Sequence, residues 1–246
     1  MYYPMYVDPT YILIIIGVLL SLAASTKVKS TFGRYSQVRS LSGLTGAQTA
    51  ERILRQAGIY DVGIARVSGD LTDHYDPSSK TLRLSDSVYG STSVAAVSVA
   101  AHECGHAIQH QNNYVPLKIR GALVPIANFG AGISWPLIVI GILMGGSSLL
   151  INIGIWMFVA VVAFHLVTLP VEFNASSRAL KIMESSGILH GDENRYAKEV
   201  LGAAALTYVA GAASMILQLL RLLILTGAFR RNRNYSRELL YEPSEL

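Results

Sequence analysis

This sequence predicts a mainly α-helical membrane protein with about four transmembrane helices and a small α+β domain, and three observations carry that prediction. Of its 246 residues, 51% are hydrophobic and only 15% charged, and the mean hydropathy is positive, a balance foreign to an ordinary soluble domain. Four apolar runs approach or exceed the roughly 20 residues that a helix needs to cross a bilayer. Between the first two lies the one long polar section, residues 44–120, where helical and strand periodicities alternate.

The first apolar run, Tyr11 to Ser25, is followed at once by Lys27, Lys29, Arg34 and Arg39, and the ten residues before it hold no Lys or Arg. A secretory signal has the reverse order, with positive charge ahead of the apolar core and a cleavage site of small residues behind it. The expectation is an uncleaved anchor with its N-terminus outside and the following domain in the cytoplasm.

In the polar section, Thr45 to Ala57 places Ala50, Ile53, Leu54 and Ala57 at helical spacing, with Thr45 as a cap and Gly58 as a stop. Asp61 to Ser68, Leu71 to Asp76 and Thr81 to Leu84 read as strands, the last two around the turn-forming Asp76 to Lys80, and are expected to pair as a small antiparallel sheet. His74 falls on a strand and is expected to make a structural hydrogen bond. Ser91 to Gln109 reads as a helix and carries His102-Glu103-x-x-His106.

Residues four apart lie on one face of a helix, so the Nε2 atoms of His102 and His106 can converge on one divalent ion. Glu103, beside the first histidine, can accept a proton from water and pass it to a leaving amine. Catalytic zinc usually has three protein ligands and an open position. Ile108 and Asn112 stand where a metzincin would carry Gly and His. His110 lies about 12 Å along the axis from His102 at 1.5 Å per residue, too far for one ion. Glu172, just after a long apolar run, is the best remaining carboxylate.

Topology agrees. Gly121 to Met144 and Leu149 to Leu169, joined through Gly145-Gly-Ser-Ser148, form a hairpin of two spans that returns Glu172 to the side it left, where His102 and His106 are. His165 lies two turns before Glu172, but Pro170 is expected to interrupt the helix between them, and a buried, hydrogen-bonded role suits it better. Gly187 to Gly191 reads as a loop, and Asp192 as the cap of a helix leading into a fourth run, Gly202 to Leu225. That run is the weak point: four crossings put Arg230, Arg231, Arg233 and Arg237 outside and Arg221 within the apolar layer. Either the first helix dominates orientation, or the last one packs along the domain.

The succession of apolar segment, His-Glu-x-x-His helix, apolar hairpin and Glu172-Phe-x-Ala175 resembles the HtpX and CAAX-prenyl-protease membrane zinc peptidases. The fuller run, Gly69 to Pro77, Thr81 to Ser85 and Ala100 to Gln109, more closely resembles the YugP-type neutral zinc metallopeptidases, over nearly the whole chain. The resemblance implies a gluzincin-like zinc peptidase domain, with His102, His106 and Glu172 as Zn2+ ligands and Glu103 as base. One position departs from the HtpX pattern: Ser176 replaces the Asp four residues after the ligand Glu, and with it a carboxylate that could orient a histidine.

The chain is thereby expected to divide into an N-terminal anchor (1–26), a zincin-like domain (27–120), a transmembrane hairpin (121–170), a third-ligand helix region (171–200) and a fourth membrane helix with a basic tail (201–246). The expected function is a membrane-embedded zinc metalloendopeptidase acting on membrane or membrane-proximal polypeptides at the cytoplasmic face, suggesting quality control, with the oxyanion stabiliser sought among Arg178 and the His or Tyr residues. An extended substrate is expected to pair with an edge strand near Thr81 to Ser85. Its partners are a polypeptide and the lipid bilayer. Nucleic acid is not expected, because the net charge of +4 comes from membrane-flanking Lys and Arg without basic-aromatic clusters. The single Cys104 argues for neither a disulfide nor a Cys-based metal site. Two rivals stand beside this reading: an intramembrane zinc protease whose motif helix crosses the bilayer, and a non-enzymatic membrane scaffold with structural zinc, which would close its metal with a fourth protein ligand.

Overall fold

The structure is a computed structural model that describes residues 8–227. Its elements are α1 (Tyr11–Ser36), α2 (Gly46–Gln56), β1 (Gly63–Val67), β2 (His74–Asp76), β3 (Thr81–Ser85), α3 (Asp86–Tyr89), α4 (Val94–Gln111), α5 (Val115–Leu143), α6 (Ser148–Ser185) and α7 (Asp192–Leu225). Helices α1, α5, α6 and α7 are long and apolar enough to cross a membrane, so the protein is a mainly α-helical membrane protein with a small α+β part. The basic tail expected after Leu225 lies largely outside the described residues.

One compact unit comprises residues 22–121 and 166–209. Within it α2 begins where the sequence places its cap: the Thr45 hydroxyl accepts from the Gln48 amide at 3.2 Å while the Gln48 side chain accepts from the Thr45 amide at 2.9 Å. Ala50, Ile53 and Leu54 face inward and join Leu82, Leu84, Val97, Met183 and Leu201 in the unit's core. In β3 the alternation is direct, with Leu82 and Leu84 fully buried and Arg83 reaching Asp76 of β2 at 3.0 Å on the other face.

The three strands pair in the order β1-β3-β2, with β1 parallel and β2 antiparallel to β3. This corrects the expected antiparallel sheet and the edge position of Thr81 to Ser85. Local turn chemistry reveals the hairpin around Pro77, where Asp76 accepts from the Ser78 amide at 2.9 Å, whereas the crossover from β1 past β3 is a long-range choice that no turn residue announces. The edges are β1 and β2.

Two further expectations change. α6 runs unbroken through Pro170, the flanking helical turns tolerating one missing amide donor. At the start of α7, Glu193 rather than Asp192 serves the loop: its carboxylate accepts from the His190 amide at 3.0 Å and the Leu41 amide at 2.7 Å. The longer side chain reaches back across the turn, while Asp192 pairs with Arg195 at 3.4 Å.

The other unit comprises residues 8–21, 122–165 and 210–227 of the described chain. Ile138, Ile155, Phe158, Val162 and Leu222 form its interior, and large apolar side chains such as Leu19, Phe129, Ile142 and Trp156 are exposed, as a lipid-facing surface requires. Gly145 and Gly146, at φ of 78° and 85°, turn the chain between α5 and α6 in a conformation that L side chains rarely adopt. The Ser214 hydroxyl donates to the Gly17 carbonyl at 2.9 Å, and Arg221 lies 3.6 Å from Asp8 and over the Tyr11 ring at 4.6 Å. The start of α1 and the end of α7 therefore share one end of this unit, and Arg221 has an acid and an aromatic ring for company.

Candidate metal centre

The Ser93 hydroxyl caps α4 by accepting from the Ala96 amide at 3.2 Å. Most of the helix is buried, because α2, the sheet and α6 enclose it. On its face toward α6, His102 and His106 stand one turn apart with their rings edge to face, centroids 4.8 Å apart. Glu172 meets them: its Oε2 lies 3.2 Å from His102 Nε2 and 3.4 Å from His106 Nε2. One donor atom from each of the three falls within 4.8 Å of the other two.

These residues fit a zinc ion. Tetrahedral ligands at bond lengths of about 2.1 Å stand about 3.4 Å apart, close to the separations from Glu172. Its carboxylate is only 2% exposed, and a buried anion needs compensating positive charge. Arg120 approaches the other carboxylate oxygen at 3.5 Å, leaving Oε2 to the two imidazoles.

Each imidazole is held from behind. With Nε2 turned to the cluster, the Nδ1–H of His106 donates to Gln109 Oε1 at 3.0 Å. The Gln109 amide is fixed in that sense because its nitrogen donates to the Val171 carbonyl at 2.8 Å and to Asn174 Oδ1 at 3.0 Å. Arg178 donates to the same Asn174 oxygen at 2.7 Å. Behind His102, Nδ1 lies 3.1 Å from the Ser176 hydroxyl, so a hydroxyl takes the orienting position that a carboxylate would otherwise fill. The side chains that buttress α4 come from the same turns of α6 that deliver Glu172.

Glu103 is 7% exposed. Burial pushes its carboxyl up to about 7, the charges of Glu172 and Asp73 add to the rise, and His102 and the Tyr75 backbone amide oppose it. A carboxyl so poised can both take and release a proton near neutrality.

The remaining candidates lie elsewhere. His110 Nδ1 is 2.8 Å from the Tyr75 hydroxyl, and His74 Nδ1 bonds the Thr72 carbonyl at 2.8 Å, the structural role expected for it. His165 packs edge-on against Phe164. Cys104 is buried, its thiol directed 3.6 Å to the Ala50 carbonyl. Arg178 serves Asn174, so it is Arg120 that brings a guanidinium to Glu172. Tyr208 of α7 also lies against Glu172. In the sequence Arg120 reads only as a membrane-flanking charge, and Tyr208 is one among the Tyr residues, with no local pattern that sets it apart. Gln109 had a signal, standing three residues after His106 on the same helical face.

Over residues 10–227 the chain matches the model of a family described as "Putative neutral zinc metallopeptidase". It is similar to the "Putative membrane protease YugP" of Bacillus subtilis (strain 168), with 50% identity over 206 residues, 84% of this chain and 91% of that protein. No solved structure matches it.

Proposed function

We propose that this chain, which belongs to the neutral zinc metallopeptidase family, is a gluzincin-like metalloendopeptidase that cleaves membrane or membrane-proximal polypeptides at the cytoplasmic face. His102, His106 and Glu172 hold the metal in this reading, and the observation that carries it is the meeting of their donor atoms from two helices seventy positions apart. When bound, zinc would supply Lewis acidity, polarising a scissile carbonyl and lowering the pKa of a water molecule it holds toward about 7. The Glu103 carboxylate takes the proton of the attacking water and delivers it to the leaving amide nitrogen. Arg120 neutralises Glu172 from behind, and Tyr208 offers a hydroxyl beside the cluster.

Because β3 is interior, an extended substrate would pair along β2, whose Tyr75 amide lies by Glu103. In this organisation residues 27–120 and 171–200 carry the metal donors and Glu103, with Tyr208 joining them from α7, while residues 1–26, 121–170 and the rest of 201–246 serve the membrane. Membrane polypeptides as substrates fit a role in quality control. The intramembrane rival is disfavoured because α4 is not among the helices apolar enough to span. Against the scaffold rival stand three donors rather than four among the described residues, with a proton acceptor at their side.

The test measures bound zinc and peptide cleavage together. Glu172→Ala is expected to lose both after dialysis against a mild chelator, Glu103→Gln to keep zinc and lose cleavage, and Glu51→Ala, an exposed acid on α2, to change neither. Stoichiometric zinc in Glu172→Ala would place the third ligand elsewhere.

A further inference from the structure

Between α6 and α7 runs a groove of about 770 Å³. The two helices are joined by residues 186–191, so within this unit they run antiparallel and the groove has a loop end and an apolar end. Lys181, Arg195 and Lys198 stand at the loop end, against one lining carboxylate, Glu184. Arg195 is engaged with Asp192 at 3.4 Å and with the Tyr196 ring at 5.1 Å. Lys181 and Lys198 are exposed and make no ion pair among the described residues. Eight residues further along each helix, about 12 Å at 1.5 Å per residue, Phe173 and Leu206 line the walls, followed by Val209. These three are 49%, 47% and 40% exposed.

We propose that this groove binds one anionic glycerophospholipid, with its phosphate between Lys181 and Lys198 and an acyl chain along Phe173, Leu206 and Val209. An apolar groove alone would accept any acyl chain. Two ammonium groups without an ion pair among the described residues, at the headgroup end, add selection for net negative charge, as basic pockets between membrane helices do. Ser177 and Asn194 line the same end and can bond phosphate oxygens. A peptide fits less well, since both walls are helices whose backbone groups are satisfied internally and offer no strand edge to pair with. The proposal does not depend on the metal chemistry, and its lipid readout is taken with and without the metal.

Full-length protein in detergent, with and without its metal stripped, is incubated with equal amounts of phosphatidylglycerol and phosphatidylcholine of matched chains, and retained lipid is counted by native mass spectrometry. Wild type should prefer phosphatidylglycerol by roughly tenfold or more, the order of effect that two basic side chains exert at a membrane surface. Lys181→Ala/Lys198→Ala should bring the ratio close to one, and Lys181→Arg/Lys198→Arg, which keeps the charge and controls for folding, should preserve it. Equal retention of both lipids by wild type overturns the proposal, as does an undiminished ratio in the Ala variant. Displacement of phosphatidylglycerol by millimolar inorganic phosphate would make this a free-phosphate site. A raised KM for peptide in the Ala variant with an unchanged lipid ratio would assign the groove to substrate.

Discussion

A Cβ placed on Gly105 would stand 2.6 Å from the carbonyl oxygen of Ala175, a separation that real Cβ atoms essentially never show. The glycine of the His-Glu-x-x-His motif is therefore where α4 and α6 touch backbone to backbone, and that contact brings Glu172 within reach of both histidines. Gly105→Ala should push α6 outward, cost about 1–3 kcal/mol as overpacking does, and weaken zinc binding without removing any ligand. Zinc affinity by competition with a chromogenic chelator, read beside thermal stability, checks this. Unchanged affinity would mean that the two helices adjust without moving Glu172.

The environment of Glu103 makes a prediction about pH. A base must be deprotonated to act, so kcat/KM should fall as pH drops through its pKa. Burial, with the Glu172 and Asp73 charges adding to it and His102 and the Tyr75 amide opposing it, puts that pKa at about 7, and a bound cation favours the charged form, so the acid limb should lie no higher than about 7. In the metal-free protein the sign for stability is opposite to that of a salt-bridged acid. The folded-state pKa exceeds the ordinary value of 4.5, so the contribution to stability is present at low pH and is lost as pH rises through about 7. Glu103→Gln should thus melt above metal-free wild type at alkaline pH and show no such gain below the ordinary carboxyl range. Parallel melting curves at every pH would contradict the buried, poised carboxyl.

Much of this was legible in the sequence because the signals are local. The Thr45 cap, the inward face of α2, the Gly145-Gly146 turn and the histidines four apart each follow from spacing within one element. Glu172 was reachable by one further step, because a hairpin of two spans must return to its own side. Sheet order was not legible, since nothing in Gly63 to Ser85 reveals that β1 pairs parallel to β3 rather than next to β2. Pro170 misled for a related reason: the tendency to end a helix is local, and α6 outweighs it by packing on both sides of that position. Arg120 and Asn174 acquire meaning only once α5 and α6 stand beside α4, and no pattern along the chain could announce that.

Orientation is the remaining prediction, and its motive is the charge step from an uncharged apolar run to Lys27, Lys29, Arg34 and Arg39. The pairing of Asp8 with Arg221 brings the start of α1 and the end of α7 to one side, so both should lie outside, with the loop before β2 in the cytoplasm. The native Cys104 is buried, which leaves a low background for thiol labelling. Asp70→Cys, on the exposed loop after β1, should resist a membrane-impermeant maleimide in intact cells and react once the membrane is opened. Ser148→Cys, at the turn between α5 and α6, should react in intact cells. The opposite pattern would invert the protein and move the proposed site to the outer face, and labelling of both positions from outside would show that the hairpin does not cross.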